Sequence, residues 1–150
     1  MHSFLTHSAK FLALFIMFGI ASQVVMAEEK PFAEKKIILQ ISDNDPTKQT
    51  LVLNVANNLI KEYGQDKVVI EVIAFGPGLR LMFADNSNKG RIQALDQSGV
   101  TFSACSNTKR NMSKKLGHPV KLNPIAKSDS PGIVRIAKLV IEEGYLLVKP

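Results

Sequence analysis

Apolar residues along this chain come in two rhythms. Lys36–Ile41, Val68–Phe75 and Val100–Cys105 are short, rich in β-branched residues and nearly unbroken, as in parallel strands covered on both faces. Between them the apolar positions recur at helical spacing. Thr47–Tyr63 places Leu51, Val52, Val55, Leu59 and Ile60 at that spacing, with Asp45-Pro46 as cap and first-turn proline and Gly64 as the stop. Leu79–Ala84 predicts a short helix. Arg91–Gln97 predicts another, with Ile92 and Leu95 inward. Ser106–Leu116 is polar, basic and compatible with a helix. His118–Asp129 holds Pro119 and Pro124 and reads as irregular, with room for a short edge strand near Val120–Ile125. The last helix opens at Ser130-Pro131, runs through Ile133, Ile136, Ala137, Val140 and Ile141, and ends at Gly144; Tyr145–Val148 follows as a short strand. Strands alternating with helices predict βαβ units: an α/β fold, a three-layer α/β/α sandwich on a parallel sheet of about five strands. No Asn-Gly or Asp-Gly hairpin signal favours an all-β alternative.

The region before residue 28 obeys another rule. Lys10 is its only fixed charge, an unbroken apolar run spans Phe11–Ala21, and Val25 and Ala27 are small enough for a processing site. That order describes a secretory signal peptide at 1–27, with cleavage after Ala27 and the domain at 28–150. The apolar run is short of the ~20 residues that span a bilayer, so no stable membrane anchor is expected after cleavage. The expected location is periplasmic or secreted, where thiols meet oxidants.

Composition narrows the function. A length of 150 residues fits one domain. The net charge of +6 keeps anionic partners open. The single cysteine excludes an intramolecular disulfide and any Cys-rich metal cage. That residue, Cys105, ends a predicted strand and precedes Ser106-Asn107-Thr108. The carboxyl ends of parallel strands are where α/β proteins bind ligands, and a helix N-terminus there favours the thiolate. Lys109, Arg110, Lys114 and Lys115 add positive charge nearby. The other reading of Cys105 is a buried, inert thiol.

The remaining candidates weigh less. Gly76-Pro77-Gly78 is neither GxGxxG nor a P-loop; alone it reads as a tight turn before an anion loop. Asp43-Asn44-Asp45 fits helix capping better than a cation site. His118 reads as solvated, and pairing it with Cys105 as a hydrolase lacks a local signature. Lys109–Lys115 has no aromatic residue for base stacking, so a solvated face is expected and no nucleic-acid partner.

The order Phe75-Gly76-Pro77-Gly78-Leu79, Gly99-Val100-Thr101-Phe102, Ala104-Cys105-Ser106-Asn107-Thr108 resembles the DsrE/DsrF-like proteins of sulfur metabolism, in their exported single-domain branch. The Ala-Cys-x-Asn-Thr segment and the Gly-Pro-Gly turn carry the likeness; Ile41-Ser42-Asp43, Gly132-Ile133-Val134 and Glu143-Gly144-Tyr145 extend it. The resemblance implies a five-stranded parallel sheet with strand two beside strand three, and a trimer or hexamer. It implies no cofactor and no metal. It makes Cys105 the residue that carries a persulfide or reacts as a thiol, like a sulfurtransferase or sulfur carrier. Gly76, Gly78, Asn107 and Thr108 become substrate-binding residues. The partner is then a small sulfur species or a sulfur-donor or acceptor protein. The competing reading is a non-catalytic module that binds a small anion or a protein, with Cys105 lining its crevice.

Overall fold

The computed structural model describes Lys30 and residues 32–150, so the signal peptide expected at 1–27 lies outside the described residues. The chain runs β1 (Lys35–Ile41), α1 (Pro46–Tyr63), β2 (Val68–Ala74), a 3-10 helix (Gly76–Met82), α2 (Lys89–Gln97), β3 (Val100–Ala104), α3 (Ser106–Leu116), α4 (Gly132–Glu143) and β4 (Leu146–Val148). Local chemistry sets these limits. Asp45 Oδ1 accepts the Thr47 N–H at 2.7 Å, Pro46 occupies the first turn, and Gly64 closes α1 by donating to Ile60 O. The cap takes Asp45, and Asp43 pairs with Lys48 at 3.1 Å.

All strand pairs are parallel, in the order β3-β2-β1-β4, so β2 does lie beside β3. The described residues form four strands, not about five. The segment with Pro119 and Pro124 makes only single bridges, Leu122 to Phe83 and Lys127 to Ser103. Proline lacks the N–H that a ladder needs, and one residue's worth of pairing survives where Lys127 donates to Phe102 O and accepts from Ala104 N–H.

Two faces follow from the period of two along each strand. One carries Ile37, Leu39, Ile70, Val72, Val100 and Phe102 beneath α1 and α2, and forms the main core. Each large side chain fully buried there contributes about 1.5–3 kcal/mol. The other face is different. Among the described residues α4 is the helix that covers it, through Ile136 and Leu139 on Ile38 and Ile73, with Phe75 and Tyr145 at the side. Much of the apolar surface of α4 stays uncovered. Ile133, Val134, Val140 and Ile141 are exposed, because a lone helix on a sheet buries only its contact stripe. The remaining surface, over β2 and β3, carries Val69, Glu71, Thr101 and Ser103 and lies open as a cleft.

Candidate functional site

Cys105 follows the last residue of β3 and caps the N-terminus of α3. Its backbone is fixed on both sides: its N–H donates to Ala74 O, and its carbonyl accepts from Lys109 N–H. α4 begins beside it. Ser106 N–H donates to Ser130 O, and a Cβ on Gly132 would sit 3.2 Å from the Cys105 Cβ and 3.3 Å from that of Phe75. Glycine at 132 therefore lets a second helix start against the thiol. Two N-termini, those of α3 and α4, converge on one sulfur.

Cys105 is buried, with 7% of its surface exposed. Burial pushes the Cys105 thiol up, but the N–H of Gly132, the Thr108 hydroxyl and the N–H groups of Thr108 and Asn107 outweigh it, so it lies below its ordinary value of 9.0. Basic side chains do not cause the lowering. Lys114 and Lys115 belong to the last turn of α3, and Arg110 is exposed and donates to Asn107 Oδ1. Local hydrogen-bond donors do the work expected of distant charge.

The structure also reassigns the glycines. Gly76 adopts φ 52 and donates its N–H to Thr108 Oγ1 at 3.0 Å. The threonine oxygen is thereby occupied as an acceptor and its hydroxyl proton is directed to the sulfur. Gly76 acts on the thiol through Thr108 rather than by touching an anion. Gly78 donates to Ser42 O at 3.0 Å, so its N–H is not offered to a ligand. Its role is close packing on the end of β1. His118 is exposed and lines a separate cavity with Leu116 and Pro119; the Cys105–His118 pair is not assembled.

Cys105 closes one end of a cleft of about 680 Å³ over the uncovered sheet face. On its floor lies a group that the sequence reading missed. Glu71, its side chain 3% exposed, takes the Arg135 guanidinium in two hydrogen bonds, Nε to Oε1 at 3.0 Å and Nη2 to Oε2 at 2.8 Å. The Ser103 hydroxyl donates to the same Oε1 at 2.6 Å. A lone acid inside the apolar run Val68–Phe75 was the available signal, and its partner lies 64 residues away. Lys127, Asp129 and Tyr145 also line the cleft. Among the described residues no group of three or more His, Cys, Asp or Glu side chains converges to hold a metal ion.

One consequence can be measured directly. Thr108→Val keeps the shape and removes the hydroxyl, so the thiol should move back up. Since the thiolate is the nucleophile, wild-type alkylation by iodoacetamide should reach its half-maximal rate below pH 9.0, and the variant should need higher pH and react severalfold more slowly at neutrality. Superimposable pH–rate profiles would remove the hydroxyl from the account.

Fold and site together define an α/β protein with one buried, hydrogen-bonded thiol at the carboxyl edge of a parallel sheet. No family model matches the sequence, and no curated protein does. Among solved structures it is similar to the protein of unknown function MTH1491 from Methanobacterium thermoautotrophicum. The likeness has a TM-score of 0.70 and 26% identity, over 78% of this chain and 100% of that one. The two share the same parallel α/β architecture.

Proposed function

We propose that this is an exported, DsrE-like sulfur-handling protein in which Cys105 carries sulfur as a persulfide or reacts as a thiolate. One observation carries the reading: the sulfur is ringed by the N–H groups of Asn107, Thr108 and Gly132 and the Thr108 hydroxyl, and Cys105 lines a cleft. Those donors suit a sulfur anion and supply the ionisation that nucleophilic attack requires. The reading needs no general base, cofactor or metal. The exported location rests on the N-terminal address.

Anaerobic treatment with inorganic polysulfide, followed by mass spectrometry of the intact chain, tests it. Wild type should gain the mass of one sulfur atom on Cys105, and Cys105→Ser should gain none. An unmodified wild type, with anions raising the melting temperature equally in both proteins, would favour the binding-module reading instead.

The resemblance also proposes a trimer or hexamer. Ile133 and Ile141 of α4 and Leu146 and Leu147 of the edge strand β4 expose apolar surface that such contacts would cover. Light scattering should return a mass of three or six chains; a monomer at micromolar concentration would end this part of the proposal.

A further inference from the structure

The buried acid in the cleft needs a reason. A carboxylate in the middle of a strand loses its hydration, and an apolar pair of similar volume is often as stable as a buried ion pair. Glu71 is sealed, whereas the Arg135 side chain above it is 33% exposed and lines the cleft. A guanidinium has five N–H donors, and Glu71 uses two of them. Arg135 is therefore oriented from below and presents its remaining edge to the cavity. It stands three residues after Gly132, on the same side of α4 and about 4.5 Å along the axis from the N–H that meets the Cys105 sulfur.

We infer that Arg135 is a carboxylate-binding residue, held in place by Glu71 and Ser103, for a small organic sulfur compound whose sulfur meets Cys105. This rests on the sulfur-handling reading above and names its substrate class. A cleft of about 680 Å³ is the size of a small-molecule site, and a bare sulfide or polysulfide ion would leave most of it unfilled. A planar fork with a fixed back edge recognises a carboxylate. The donor is then a mercaptocarboxylate persulfide, R–S–SH. The Cys105 thiolate attacks the outer sulfur, and a new S–S bond forms. The donor's S–S bond breaks, and its electron pair leaves with the inner sulfur as the carrier thiolate. The proton on the outer sulfur stays with it, giving Cys105–S–SH. No external oxidant or reductant enters.

The test uses two matched pairs of probes on the whole protein. Iodoacetate and iodoacetamide alkylate the thiol with and without a carboxylate; the persulfides of mercaptoacetate and of its amide do the same for sulfur transfer. In wild type the acid-to-amide rate ratio, divided by that of a free small thiol, should be raised about tenfold or more, the worth of a charge-assisted hydrogen bond. Glu71→Gln/Arg135→Gln removes one charge of each sign and should return the ratio to within about twofold of the free thiol. Arg135→Lys keeps a counter-ion for Glu71 and guards against misfolding of the double variant; it should lower the ratio severalfold. A ratio that neither variant changes overturns the assignment. Equal transfer from both persulfides with a flat alkylation ratio also overturns it and leaves the sulfur reading intact. Transfer from neither, with the alkylation preference present, overturns the sulfur reading and leaves the carboxylate site intact.

Discussion

Gly78→Ala should cost about 3 kcal/mol or more, the upper end for overpacking, and leave little folded protein at ambient temperature if the parent is of ordinary stability. The added Cβ would lie 2.5 Å from Ile41 O, 2.7 Å from Ile41 C and 2.8 Å from Ser42 Cα. Every one of these is a backbone atom at the carboxyl end of β1, whose register is set by seven pairs with β2. No side chain can rotate away, so either the strand end or the 3-10 helix must move. The 3-10 helix carries Leu79, Leu81 and Met82 into the core, and shifting it would open the packing around them. Gly76→Ala provides the contrast. Its φ of 52 is left-handed, which costs roughly 1–2 kcal/mol for an L side chain, but its Cβ would meet only Ser42 O at 3.9 Å. Urea denaturation of both variants decides the matter. A Gly78→Ala midpoint equal to wild type would mean that the strand end yields freely.

Arg135→Ala should be the other severe change. It leaves the Glu71 carboxylate buried with only the Ser103 hydroxyl as partner. Breaking a buried pair from one side costs about 3–5 kcal/mol, and the lower end applies because Arg135 is one-third exposed. Glu71→Gln/Arg135→Gln removes both charges and should recover most of the loss, since a neutral amide pair is far cheaper to bury than a lone carboxylate. The comparison separates a stranded charge from lost packing. Equal destabilisation of the single and double variants would assign the cost to the aliphatic stem of Arg135 instead. The experiment also bears on the site, because the same pair forms the floor of the cleft that ends at Cys105.

Much of this molecule is legible as a string of residues. Helix α1 announces itself through Asp45-Pro46, its spaced apolar residues and Gly64, all local signals within a few residues of what they control. Cys105 at the end of β3 follows from the same kind of reading, since an apolar run stops and a polar helix begins. The fifth strand is where local reasoning overreached. Val120–Ile125 has the right residues for an edge, but two prolines and the position of Lys127 beside β3 reduce it to bridges. Helix α4 shows a related limit. Periodicity says that an apolar stripe exists, and only the partner surface decides how wide the covered part is.

Local order came from the chain itself: which segments extend, which coil, where each stops, and where the lone thiol falls among them. Steric and hydrogen-bonding rules act over a few residues, so nearest neighbours suffice to state them. Tertiary structure decided what surrounds that thiol. The N–H of Gly132 comes to it from the start of α4, the Gly76 N–H reaches it through Thr108, and Glu71 finds Arg135 across the sheet. Among the described residues it also left the β2–β3 part of one sheet face without a helix, which turned a strand's misplaced acid into the floor of a cleft. Such contacts join positions dozens of residues apart, and their energies depend on desolvation and geometry that exist only once the strands have paired.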